Sequence, residues 1–156
     1  MKITLIAVGK RMPDWVAAGF QEYVQRLPSD YGIKLVEISA AKRTKGADIN
    51  RLLQGEGESI LAAIPPGDRI IALTERGQLW DTKGLAQQLQ TWHDGGYGIS
   101  LLVGGPEGLP ASCLARAHHR WSLSPLTFPH PLVRILIAEQ IYRAYSLLHN
   151  HPYHRA

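Results

Sequence analysis

Short runs of aliphatic residues alternate along this chain with longer segments in which apolar positions recur every three or four residues. The runs are Lys2–Val8 (KITLIAV), Ile33–Ile38 (IKLVEI), Arg69–Thr74 (RIIALT) and Ile99–Val103 (ISLLV). They are short, aliphatic and rich in β-branched residues, which predicts buried strands. The periodic segments predict helices. One opens at Pro13 and Asp14 and carries Trp15, Val16, Ala18, Phe20, Tyr23, Val24 and Leu27 up to Pro28. A second spans Asp48–Ile64, although Gly55 and Gly57 weaken it by roughly 1 kcal/mol each relative to alanine. Asp81 caps a third that runs to His93 and stops at Asp94-Gly95-Gly96. A fourth is opened by Pro110 and reaches about His118. Strands alternating with helices predict an α/β fold, a mostly parallel sheet with helices on both faces. No repeat, low-complexity tract or linker divides the chain, so residues 1–156 read as one domain.

The pattern changes in the last third, WSLSPLTFPHPLVRILIAEQIYRAYSLL from Trp121 to Leu148. A short segment, Trp121–Leu123, leads into a loop with Pro125, Pro129 and Pro131, and a helix of roughly five turns follows. Pro131 suits the first turn of that helix, where its missing N–H costs nothing. At 100° per residue, Glu139, Arg143 and Ser146 share one narrow polar stripe. Leu132, Val133, Ile135, Leu136, Ile137, Ala138, Ile141, Tyr142 and Leu148 cover most of the remaining surface. One sheet face cannot cover so wide an apolar surface. The remainder packs against a second copy of the chain, most simply as a two-fold homodimer, or the helix is buried within its own monomer.

Composition adds limits. The chain has 156 residues, a net charge of +4 and a single cysteine, Cys113, with a pI near 9.4. One cysteine excludes internal disulfides and fits a reducing, cytoplasmic setting. No apolar run is long enough for a signal sequence or a bilayer span. The mild basicity permits a nucleic-acid partner without requiring one. Lys10 and Arg11, with Lys42, Arg43 and Lys45 of the basic loop AKRTKGAD, form either a solvated surface or a phosphate-contact site.

In an open α/β sheet, ligands settle at the carboxyl ends of strands, which draws attention to the loops after Leu73, Val103 and Leu123. Gly104-Gly105 lets backbone approach a ligand, or simply makes a tight connection through Pro106-Glu107-Gly108. The loop LSPLTFP is apolar where a solvent-facing loop should be polar. A flat purine resting among Leu123, Leu126 and Phe128 would cover it, as would packing on the last helix. The run GEGE lacks the preceding strand and the lysine of a phosphate cradle, and Gly9 stands alone where a nicotinamide-binding fold would carry GxGxxG.

Three motifs, LLVGGPEGL at 101–109, LSPLTFPHPLVRILIAEQIYRAYS at 123–146 and the closing NHPYHRA, together resemble the bacterial family of small SPOUT methyltransferases. These enzymes methylate N3 of a pseudouridine in 23S ribosomal RNA, within the ribosome or its large subunit. MPDWV at 12–16 and LTERG at 73–77 also match in place, so the resemblance covers the whole chain. It implies a homodimer, a deep trefoil knot in the C-terminal part, and S-adenosyl-L-methionine as cofactor. Matched motif to motif, the cofactor is expected at Leu73, Gly104, Gly105, Leu123, Ser124, Pro125, Leu126, Thr127 and Phe128.

The pseudouridine N3 is an imide that carries a proton, so catalysis must remove that proton or stabilise the anion. The candidates are Glu139, Arg143, His130 and the tail residues Tyr153, His154 and Arg155. Glu139 and Arg143 are also spaced as an ordinary helix-stabilising pair. His149, His151 and His154 lack nearby carboxylates or cysteine and are interrupted by Pro152, so no metal site is expected. The tail is expected to fold over the cofactor pocket of the other subunit, with His154 near the base and Arg155 on a phosphate. A non-catalytic RNA-binding or ribosome-associated module with the same fold is the alternative, separable by whether S-adenosylmethionine binds.

Overall fold

The computed structural model describes residues 1–155; Ala156, the last residue of the NHPYHRA motif, lies outside the described residues. The elements follow in the order β1 (Ile3–Val8), α1 (Asp14–Val24), β2 (Ile33–Ile38), α2 (Ile49–Ala62), β3 (Arg69–Leu79), α3 (Thr82–Asp94), β4 (Ile99–Val103), α4 (Ala111–Arg116), β5 (His119–Ser122) and α5 (His130–Leu148). Two 3-10 turns, Ser29–Tyr31 before β2 and Pro152–Arg155 after α5, complete the described elements.

All five strands are parallel, in the order β2-β1-β4-β3-β5. β1 and β4 lie inside the sheet, and every residue of both is buried. That is why their sequences are continuous aliphatic runs: a strand covered on both faces has no solvent side to mark with polar residues. Leu5, Ile71 and Leu101 pack on one side with Phe20, Leu89, Ile137 and Ile141. Ile6, Val8, Ile70 and Leu102 pack on the other with Ile60 and Cys113. The alternation of strand side chains thus feeds two separate cores.

Two local features depart from the sequence reading, and the glycine-bearing helix keeps to it. The third strand does not end at Thr74. Leu73 and Gln78 both fall in register with Trp121 of β5, and residues 74–77 loop out between them. Glu75-Arg76-Gly77, a turn signal in sequence, therefore makes a bulge inside a strand rather than its end. At Gly77 an added Cβ would lie 2.6 Å from the backbone N and C of Trp121, so only glycine permits this crossing.

The segment at Trp121 begins earlier than expected, as strand β5 from His119. The glycine-bearing α2 remains helical throughout, because Gly57 is where α2 meets α4. A Cβ there would sit 2.7 Å from Ser112 Oγ and 3.2 Å from Pro110 Cβ. Close helix contact offsets the intrinsic weakness of glycine.

α5 begins at His130 with Pro131 in its first turn. Its largest fully buried side chain is Arg134, 2% exposed. Arg134 donates from Nη1 to Glu37 Oε2 at the end of β2 (2.7 Å) and from Nη2 to the Gly9 carbonyl after β1 (2.8 Å). A buried guanidinium is tolerable only with such partners.

Candidate active site

A cleft of about 400 Å³ opens at the carboxyl ends of β3, β4 and β5. Its lip is the β3 bulge, with Thr74, Glu75 and Arg76. Gly104, Glu107 and Gly108 of the turn after β4 form one wall. Leu123, Ser124, Leu126 and Phe128 form the opposite wall, and His130 and Val133 of α5 close the back. Leu126 is 69% exposed, an apolar side chain left in water at the edge of a cavity. An apolar chamber with a few polar groups at its rim is the usual make-up of a small-molecule site.

The turn after β4 has its shape from backbone contacts. A Cβ on Gly104 would collide with the carbonyl group of Gly108 and the amide of Leu109. Gly108 takes φ +81°, a conformation glycine adopts without strain. Gly105 is buried against Val8, with an added Cβ 3.1 Å from Val8 Cγ1. In the opposite loop the Ser124 hydroxyl accepts from Leu126 N–H (3.0 Å), and Ser122 Oγ donates to the Ser124 carbonyl (3.0 Å). These two bonds fold the loop back over β5.

Of the residues matched to cofactor binding, Leu73, Gly104, Leu123, Ser124, Leu126 and Phe128 line the cleft. Gly105, Pro125 and Thr127 belong to the same loops without lining it: Gly105 is turned into the core, and the other two lie on the outer surface.

The proposed proton-handling residues form a second cluster. Glu139 accepts from Arg143 (2.6 Å), from Gln140 (2.6 Å) and from the Tyr153 hydroxyl (2.9 Å). Tyr153 packs on Tyr142 at 4.7 Å between ring centroids, and the guanidinium of Arg143 lies 5.0 Å from its ring. Burial, then the bond to Glu139, pushes the Tyr153 hydroxyl up to about 12. It therefore stays a donor at neutral pH. The Nδ1 of His154 is buried without a hydrogen-bond partner among the described residues, while Arg155 is exposed.

None of these tail or stripe residues lines the cleft of its own chain. Glu139 stands nine residues along α5 from His130, about 13 Å. His130 is the one proton-acceptor candidate that does line it. Its imidazole is held below the usual histidine range, first by burial and then by the positive charge of Arg134. Among the described residues no three of His, Cys, Asp or Glu converge as metal ligands.

Sequence reasoning missed Arg134, Glu37 and Gly9 as one unit. The signal was present: a lone arginine inside the apolar run LVRILIA needs a buried partner. It also left Arg43 to either a solvated surface or a phosphate contact, whereas the side chain turns inward to Glu56 and Glu107.

A cleft at the carboxyl edge of a parallel α/β sheet stands where ligands of such folds generally settle. Residues 1–154 match the family described as "Predicted SPOUT methyltransferase", and the chain belongs to that family. A probable methylase family protein from Haemophilus influenzae has a similar structure, with a TM-score of 0.55 at 13% identity over 97% of this chain and 69% of that one. A probable methyltransferase from Bordetella pertussis is also similar, with a TM-score of 0.56 at 15% identity over 91% and 95%. At these identities the likeness is one of fold.

Proposed function

We propose that this chain is an S-adenosylmethionine-dependent methyltransferase that acts, as a homodimer, on N3 of a pseudouridine in 23S ribosomal RNA, on the assembled ribosome or its large subunit. The observation that carries the reading is the cleft, where Gly104 and the apolar loop 123–128 face each other. The residues present fit the cofactor. Gly104 lines the cleft without a side chain, Leu123, Leu126 and Phe128 offer an apolar seat for a purine, and the carboxylate of Glu75 at the rim suits a sulfonium cation. When bound, the cofactor supplies a methyl group on positively charged sulfur, open to in-line attack.

The protein's work is to position and dry the reacting nitrogen and to handle its proton. His130, neutral at the back of the cleft, is placed to accept a proton. Glu139 and Arg143 of the same helix form a pre-ordered group with the Tyr153 hydroxyl of the tail, and His154 follows Tyr153 in the chain. Leu132, Val133, Ile135, Leu136, Leu147 and Leu148 of α5 remain only partly covered in the single chain. That supports pairing of two copies through α5, which would carry the tail of one subunit toward the cleft of the other.

Exposed Lys10, Arg11, Lys42 and Lys45 supply an RNA-facing surface. Contacts from these four to phosphates would give a salt slope of about −3 to −4. No helix among the described residues is long and apolar enough to cross a membrane.

Two measurements test the reading. Calorimetry should show S-adenosylmethionine binding to the purified protein. Mass mapping of 23S ribosomal RNA from cells lacking this chain should show one methyl group missing from a pseudouridine. Absence of cofactor binding would instead favour a non-catalytic RNA-binding module.

A further inference from the structure

The loop between β2 and α2 contains an arginine whose bonds all run inward. Arg43 donates from Nη1 to Glu56 Oε2 (2.7 Å) and to the Ala41 carbonyl (2.7 Å), and from Nη2 to Glu56 Oε1 (3.2 Å). It also grips Glu107, from Nη2 to Oε2 (2.6 Å) and from Nε to the same oxygen (3.0 Å). Glu56 is a buried carboxylate on α2 that further accepts the Ala41 N–H (2.9 Å). Glu107 is the acid of the GGPEG turn and lines the cleft. One planar guanidinium therefore joins a fixed carboxylate in the body of the protein to a partly exposed one on the cofactor wall. A forked donor holds two carboxylates at once, which a lysine ammonium, as a single point of charge, does less well.

Nothing else charged restrains that turn. Its internal contacts are a bond from Gly108 N–H to the Gly105 carbonyl (2.9 Å) and the bridge between the same two residues. Glu107 has no ion-pair partner among the described residues besides Arg43. The bond to Arg43, ahead of any other influence, holds its carboxyl below the usual range, so the clamp stays charged through neutral pH.

We infer that Arg43 is a positioning residue: through Glu107, and anchored on Glu56, it fixes the backbone of residues 104–108 in the shape that receives the cofactor. The inference rests on the cofactor reading given above but has a readout independent of it. In the ligand-free protein, hydrogen exchange of the amides at 104–109 should accelerate in both Arg43→Ala and Glu107→Gln, with exchange in β1 and β4 unchanged. Glu107→Gln leaves the Arg43–Glu56 pair in place and so guards against simple loss of folding.

Calorimetry with S-adenosylmethionine should then show each variant weakened by about tenfold, and the double variant no weaker than either single one, because both changes break the same link. Unaltered exchange at 104–109 in Glu107→Gln overturns the inference, as does a fully additive double variant. If the wild-type chain binds no cofactor but exchange still accelerates, the clamp stands and the cofactor assignment falls.

Discussion

The two ends of α5 are built from the same kinds of residue and do opposite things. At its start, Arg134 is sealed in the core, bonded to Glu37 and Gly9, while its neighbours His130 and Val133 line the cleft. Five residues on, Glu139 forms a similar but half-buried acid–base pair with Arg143, reached by Tyr153 from the tail. The first pair ties α5 to β2 and to the chain just after β1, on a turn of helix whose neighbouring residues line the cleft. The second joins the helix to the chain's own tail and touches no cleft. A charged pair on one helix thus reports nothing about its role until its surroundings are known. Within a single chain, the group of Glu139, Arg143 and Tyr153 stays apart from the cleft.

Removing the tail after Asn150 separates the two ends most sharply. Methylation of ribosomes should fall by about 10²–10⁴-fold, the range for loss of a positioned acid or base, while calorimetry finds cofactor affinity within about twofold of wild type. Undiminished methylation would confine the chemistry to the cleft end. At that end, Glu37→Ala leaves Arg134 buried with one carbonyl as partner. The expected cost is about 3 kcal/mol, read as a fall of about 6–12 °C in thermal midpoint. A change below about 2 °C would mean that water satisfies the guanidinium.

Gly104→Ala attacks the cleft wall alone. It should weaken cofactor binding by at least about tenfold, or 1.4 kcal/mol, without altering the protection of Tyr153 from solvent quenching.

The smallest effect concerns His130. Its folded value lies below the unfolded value of about 6.5, so between the two the unfolded chain binds more protons and stability rises with pH. The contribution is complete above about 6.5 and is lost as pH falls through the folded value. His130→Gln should flatten the acid limb of a stability–pH curve. It should also remove an acid limb from the methylation rate if this imidazole takes the N3 proton. A limb that survives the substitution places that role on the tail.

Much of this was legible in the residues. The runs at β1 and β4 marked themselves because a doubly covered strand must be apolar throughout, and Pro131 marked the start of α5. The spacing of Glu139 and Arg143 announced their pair. Other features were hidden for definite reasons. Glu75-Arg76-Gly77 has the composition of a turn, and only the two-fold use of Trp121 as a register partner shows it to be a bulge within a strand. Arg43 has the composition of a surface cation, and only the approach of Glu56 and Glu107 from 13 and 64 residues away turns it inward.

Local composition and period, which depend on residues near one another in the chain, determined the elements, the α/β alternation and the loops at which a ligand would settle. The partners of Arg43 and Arg134, the crossing at Gly77 and the walls of the cleft were decided by tertiary structure alone. Each depends on side chains brought together across long stretches of chain, where a charge looks the same in sequence whether water or a buried carboxylate will face it.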